Sequence, residues 1–353
     1  MVDGVGGYTD EEVAEIQEAI REAERAGPPK DQLTPGEMWS DKVNLPQRID
    51  KKTADESEIE VAQEQLSPEH CQRFWPSPHQ VCGAILDRYR QLGGATSWLL
   101  TPIENESVNP DGQGYRQRFM NGFISWHPDT GAHTVTNRNA LVWERNGWES
   151  GWLGYPTGEE VPVKAKIPVE GTIIGWVQPF QGGRIYRTLI QQVASISRLI
   201  LEKWLELGGP TSELGFPIAD EAETGDGAAR FSLFQRGAIY CHPTTGTHAV
   251  SGLFYEVWAR ERLEAGKYGY PLSDAYVDFQ DNSYRQFQDF QGESIDLNTA
   301  LENDRTISVD GNQVGEYFAT MLVRSGVPMS SFADLRWSST PEYKDENDGD
   351  VDS

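Results

Sequence analysis

Four proline-ended tetrads punctuate this chain of 353 residues: Leu99-Leu100-Thr101-Pro102, Leu153-Gly154-Tyr155-Pro156, Leu214-Gly215-Phe216-Pro217 and Tyr268-Gly269-Tyr270-Pro271. Their prolines stand 54, 61 and 54 residues apart. A near-constant period of that size signals an array of supersecondary units, because one such unit cannot bury its apolar face without neighbours.

Other features keep phase with the tetrads. Helix-like segments precede them at 85–92, 139–148, 196–207 and 253–263, carrying Trp143, Trp204 and Trp258 at equivalent, core-type places. Acids follow them: Glu104, Glu159-Glu160, Asp220-Glu221 and Asp274. Then come Phe119-Gly122-Ile124, Phe180-Gly183-Ile185, Phe234-Gly237-Ile239 and, loosely, Phe290-Gly292-Ile295. Trp126, Tyr186 and Tyr240 follow the isoleucines. Two units continue as His127-Pro128-Asp129-Thr130-Gly131-Ala132-His133 and His242-Pro243-Thr244-Thr245-Gly246-Thr247-His248. Alternating residues on either side of a Pro-x-Thr-Gly turn read as a β-hairpin.

Each unit is therefore expected to be a short helix, a Gly-Pro turn and a β-hairpin. In the turn, Gly154, Gly215 and Gly269 allow close approach, Phe216 is buried, and Pro156, Pro217 and Pro271 fix the exit. The expected fold is an α+β repeat protein of about four units, arranged as an arc or propeller-like ring with mostly irregular acidic flanks. Residues 1–70 read as an acidic arm with a helix over 9–26 and a linker. Residues 71–300 form the repeat domain, and residues 301–353 hold a short helix (313–324) and an acidic tail.

Charge separates the flanks from the body. Residues 1–70 hold 18 acidic and 7 basic side chains, residues 302–353 hold 11 and 4, and the whole chain carries −25. Nucleic acid is an unfavourable partner, because phosphate contacts need clustered Lys and Arg. No apolar run is long enough for a membrane span, and no secretory signal is visible. The 9–26 helix opens on a capping box, Thr9 with Glu12, and has a narrow apolar stripe that suits docking, self-association or a marginal helix. Cys71 and Cys82 can pair in an oxidising compartment, leaving Cys241 over; three buried thiols is the alternative.

Catalytic signatures are missing. The chain has no Gly-x-Ser-x-Gly elbow, no His-Glu-x-x-His and no phosphate-binding loop, so no cofactor is expected. His133 and His248 recur across the hairpin turns without a recurring third ligand, which argues against metal. The paired acids sit after a turn in every unit, which suits turn and cap hydrogen bonding better than a glycosidase pair. Asp111-Gly112 and Asp226-Gly227 read as tight turns. Trp126, Tyr186 and Tyr240 read first as core; the competing role is a stacking surface for sugar rings or lipid, with His133 and His248 as neighbouring ligand contacts.

These linked motifs resemble the LGFP-repeat family. The match rests on Leu92-Gly93-Gly94 and Leu207-Gly208-Gly209, the tetrads, the trailing acids, Phe-x-x-Gly-x-Ile, and Pro-x-Thr-Gly-x-His. It covers about residues 82–300. The resemblance implies attachment to the envelope of mycolic-acid-containing actinobacteria, through wall polysaccharide or the mycolate layer, and a secreted or wall-associated location. A virion or tail protein of an actinophage, a wall-acting hydrolase or esterase, and a structural oligomer built through residues 9–26 are the alternatives. The second unit departs from the pattern: it is about seven residues longer and runs Arg184-Ile185-Tyr186-Arg187-Thr188 in place of the Pro-x-Thr-Gly-x-His hairpin.

Overall fold

The computed structural model describes residues 9–28, 34, 36–64, 71–165, 171–280, 283–297 and 299–300. The expected helix over 313–324 and the acidic tail lie outside the described residues. The chain divides into two compact parts, residues 1–201 and 202–353.

The first part begins with three helices, α1 (Asp10–Arg25), α2 (Trp39–Lys42) and α3 (Lys51–Glu64). The capping box of α1 forms: Glu12 N–H donates to Thr9 Oγ1 at 3.2 Å and Thr9 N–H donates to Glu12 Oε2 at 2.8 Å. Ile16, Ile20 and Ala23 are buried together with Ala54, Trp75, Ala95, Leu100 and Met120. Of the roles open to the narrow stripe of α1, the structure shows docking, and the described part of the flank is helical and not mostly irregular. The linker reading rests on the polar composition that follows α1, where α2 and α3 instead form. The tetrad of the first repeat offers a surface that this narrow stripe is sufficient to cover. Self-association through residues 9–26 would have to use the outer, acidic face of α1.

Two short strands follow, β1 (Cys71–Arg73) and β2 (Gln80–Cys82), antiparallel with Cys71 opposite Cys82 and joined by a disulfide. Helix α4 (Gly83–Gln91) leads to the first tetrad.

Each repeat then builds an antiparallel meander, not a lone hairpin. In the first, the strands are β3 (Ser107–Val108), β4 (Tyr115–Phe119), β5 (Gly122–His127) and β6 (Gly131–Thr136), with helix α5 (Asn137–Arg145) after them. In the second they are β7 (Val161–Lys164), β8 (Ile173–Pro179), β9 (Gly183–Thr188) and β10 (Val193–Ser197), with α6 (Arg198–Glu206). The third has β11 (Ala222–Glu223), β12 (Arg230–Phe234), β13 (Gly237–His242), β14 (Gly246–Ser251) and α7 (Gly252–Arg260). The fourth shows β15 (Tyr276–Gln280), β16 (Ser283–Gln288) and β17 (Ile295–Asp296). Two strands per sheet escaped the sequence reading: β3 and β11 are only two residues long, β7 and β8 contain Pro, and β4, β12 and β16 carry Arg among their apolar residues. Their pairing comes from the neighbouring strand, not from propensity.

The tetrad closes each sheet. Its proline bridges to the motif phenylalanine in all four repeats: Pro102 to Phe119, Pro156 to Phe180, Pro217 to Phe234 and Pro271 to Phe290. The second tetrad residue is left-handed every time, with φ of 59° at Leu100, 66° at Gly154, 71° at Gly215 and 69° at Gly269. Its carbonyl always accepts from a buried aromatic eleven residues earlier. Trp143 donates to Gly154 O at 2.9 Å, Trp204 to Gly215 O at 3.1 Å and Trp258 to Gly269 O at 3.1 Å, while the Tyr89 hydroxyl serves Leu100 O. Those aromatics also pack on the motif phenylalanines, with ring centroids 4.7–5.6 Å apart. A buried carbonyl at a chain reversal needs a donor, and a Trp or Tyr fills core volume while supplying one.

Candidate functional site

Some of the polar residues singled out from the sequence join successive repeats, and others close turns or pair within one repeat. Glu159, three residues after its tetrad, reaches back to β6: it accepts Thr134 N–H at 3.3 Å and the Thr134 hydroxyl. It also pairs with His133 Nδ1 at 3.2 Å and with Arg88 of α4 at 2.8 Å. The same cluster recurs 115 residues on. Asp274 accepts Ala249 N–H at 2.9 Å, pairs with Lys203 and lies 3.7 Å from His248 Nδ1. His133 Nε2 and His248 Nε2 each sit 2.8 Å from a turn carbonyl, of Thr130 and Thr245. His127 and His242 accept the N–H of Asp129 and Thr244 at 3.1 and 3.2 Å and so close the same turns.

A second recurring joint links tetrad to hairpin loop. Tyr155 donates to Asp111 Oδ2 at 2.6 Å, and Tyr270 donates to Asp226 Oδ1 at 2.7 Å. Burial, reinforced by the neighbouring carboxylate, raises both phenols well above the ordinary tyrosine range. The N–H of Ala228, with the hydroxyls of Tyr270 and Thr224, holds Asp226 down at about 2. Among the other paired acids, Glu160 accepts two bonds from Arg187 and Glu221 pairs with Arg230. The carboxylates are therefore structural partners in the positions where a glycosidase pair was weighed.

These joints follow a 115-residue super-repeat, which is also the distance between alternate tetrads. Arg88 and Lys203, Asp111 and Asp226, His133 and His248, Tyr155 and Tyr270, and Glu159 and Asp274 all obey it. An ungapped self-comparison at that offset would have found them.

The Arg88–His133–Glu159 cluster carries a pH prediction. The hydrogen bond to Glu159 raises the His133 pKa against the opposing effect of burial. For Glu159, burial pushes upward, but the bonds from His133 and Thr134 and the charge of Arg88 leave it below the ordinary value. A raised histidine pKa contributes stability that is full below the unfolded value and lost as pH rises through the folded one. The stability advantage of the wild type over His133→Gln is therefore expected to be largest near pH 6 and to shrink toward pH 8, read from urea midpoints. An advantage that stays constant over that range would contradict it.

The aromatic candidates separate. Tyr240 is fully buried, stacked on Phe231 at 5.2 Å, and Tyr186 is 3% exposed. Neither offers a ring face to a ligand, which corrects their assignment as contacts. The cause is register. Trp126 lies two residues after Ile124 and shares its face, whereas Tyr186 and Tyr240 directly follow their isoleucines and point the other way. Both faces of these strands are covered, so alternation could not mark the wet side.

Trp126 remains half-buried. It stands opposite Tyr115, with ring centroids 5.7 Å apart, and Tyr115 stands opposite Val108. Tyr115 is 36% and Val108 58% exposed. This three-strand row lies where the buried face of the sheet, holding Gln117 and Phe119, runs out into solvent. The second repeat places Pro162, Trp176 and Arg187 in the same register, with the Arg187 guanidinium 3.9 Å above the Trp176 ring. In the third repeat the positions hold Glu223, Arg230 and Cys241.

Antiparallel meanders joined by left-handed, proline-ended tetrads, with Tyr115 and Trp126 at the rim of the first and Trp176 beneath Arg187 in the second, define an α+β repeat protein. The LGFP repeat family model matches residues 99–151, 153–212 and 214–266, and these repeats belong to that family. The fourth tetrad lies beyond those matches yet repeats their bridge, left-handed glycine and tryptophan bond. No curated protein matches the chain. No described helix is long and apolar enough to cross a membrane, and no described group of three or more His, Cys, Asp or Glu is placed to hold a metal.

Proposed function

We propose that this protein is a non-catalytic binding protein of the actinobacterial cell envelope, and that the rim row Val108–Tyr115–Trp126, with Trp176 in the second repeat, stacks on wall polysaccharide. The observation that carries the reading is the half-open Tyr115–Trp126 pair at the rim of the first repeat, with one further half-buried ring, Trp176, capped on one face by Arg187, at the same register in the second. A flat ring gives a sugar a large contact area at small entropic cost. Several weak sites on one chain act together through effective concentration. The association of LGFP repeats with cell envelopes supports the same location, and an arc or ring of repeats would present the rows side by side.

Purified wall from mycolic-acid-containing actinobacteria is expected to retain the protein. Tyr115→Ala with Trp126→Ala should weaken retention about tenfold, the order of one lost stacking pair. The wall should release no new soluble sugar during incubation. Retention no greater than that of an unrelated protein of equal acidity would sink the proposal.

A further inference from the structure

The second repeat differs from its neighbours at one end of its sheet. There β7 ends, β8 begins, and β9 turns into β10, as the pairings Lys164 with Ile173, Gly175 with Thr188 and Arg187 with Val193 require. The first and third repeats carry polar turns at this end, with Asp111 and Asp129 in one and Asp226 in the other. The second carries Leu189 and Ile190 at the β9–β10 tip, 54% and 68% exposed, with Ile173 at 42% beside them.

The tip is held firmly. Thr188 N–H donates to Gln192 O at 2.9 Å, Gln191 N–H to Thr188 O at 3.0 Å, and Gln192 N–H to Thr188 Oγ1 at 3.1 Å. Gln191 takes a left-handed φ of 68°, and Arg187 bonds its side chain at 3.1 Å while also holding Glu160 and covering Trp176. A built turn that displays two adjacent aliphatic side chains is not a relaxed loop, for which polar residues would serve.

Charge changes in the same place. The family match over 153–212 holds six basic and five acidic residues, against four and six over 99–151 and four and seven over 214–266. Lys164 is exposed at the same sheet end as the tip. In a chain of net −25 this is the repeat that can approach a negative surface, since charges beyond about 8 Å are screened at physiological salt.

We infer that the Leu189–Ile190 tip is an anchor that enters the acyl layer of a lipid surface bearing anionic head groups, with Lys164 at the head-group level. A lipid surface fits better than a protein partner. A specific protein interface buries roughly 1,200–2,000 Å² in total, whereas a tip of two aliphatic residues with a nearby cation suits shallow insertion. The tip adjoins the Trp176 end of the second sheet, with which it shares Arg187, but Tyr115 and Trp126, the pair changed in the wall test, lie in the first repeat, so either reading can fail alone.

The test is flotation of the full chain with vesicles of phosphatidylcholine alone and of phosphatidylcholine mixed with phosphatidylglycerol. The wild type is expected to float with the mixed vesicles. Leu189→Ser with Ile190→Ser should cut the bound fraction at least tenfold, while an unchanged thermal melt shows the fold intact, as suits exposed positions. Lys164→Glu should reduce binding to the mixed vesicles and leave binding to neutral ones unaltered. No flotation, or a double-serine variant that floats like the wild type, overturns the inference. So does a tip that proves necessary only for capture of a wall protein. Wall retention without vesicle binding would leave the polysaccharide reading standing and remove this one.

Discussion

Gly215→Ala is expected to destabilise the second part of the chain by about 3 kcal/mol, the sum of left-handed strain and a lost buried hydrogen bond. Gly215 holds φ 71°, and a Cβ there would collide with Gln235 Oε1. That oxygen accepts Phe216 N–H at 3.1 Å, so the glutamine cannot withdraw without stranding a backbone donor. The same pairing recurs as Gly154 with Gln181 and Gly269 with Gln291, each glutamine accepting the N–H of the next tetrad residue, Tyr155 and Tyr270. The first repeat shows the alternative. Leu100 takes φ 59° without a glycine, and the glutamine position is Met120. Strain alone is therefore tolerable, and the collision is the larger part of the cost. Gln235→Met should cost about 1 kcal/mol by itself, and the double variant should cost clearly less than the sum of the singles. Denaturant unfolding of the four proteins measures this; strict additivity would show that Gly215 is required for its φ alone.

A larger loss is expected from Trp258→Ala, about 3–5 kcal/mol, in the range of large aromatic deletions from cores. Trp258 is fully buried, packs against Tyr240 at 5.0 Å and Phe290 at 5.3 Å, and supplies the donor for Gly269 O. Trp258→Phe separates the terms. It keeps most of the volume and removes the donor, and should cost about 1–3 kcal/mol for the stranded carbonyl. If Trp258→Phe were as stable as the wild type, the Nε1–carbonyl bond would have no part in fixing the tetrad.

Sequence periodicity was a good guide where one residue does one local job. The tetrads, their prolines, the helix tryptophans and the capping box at Thr9 are where spacing placed them, because turn chemistry and helix periodicity act over a few residues. The additional strands were not legible. β3 and β11 are two residues long and exist through pairing with β4 and β12. The ligand candidates were misread for a related cause. Ile124-x-Trp126 and Ile239-Tyr240 look alike in a loose motif, but one residue of register sends the ring to the opposite face.

The sequence by itself determined the repeat, its turns and the family, since these follow from local backbone restriction by Gly and Pro and from apolar spacing. Only the tertiary structure decided what the polar residues do. Glu159 and His133 stand 26 residues apart, and Arg88 and Glu159 stand 71 apart. Their partnership exists only once neighbouring repeats are stacked. Stacking likewise buried Tyr240 and Tyr186, left Tyr115 and Trp126 at the open rim, and covered the narrow stripe of α1. Burial is a property of what packs against a residue, and no residue's own neighbours in sequence determine it.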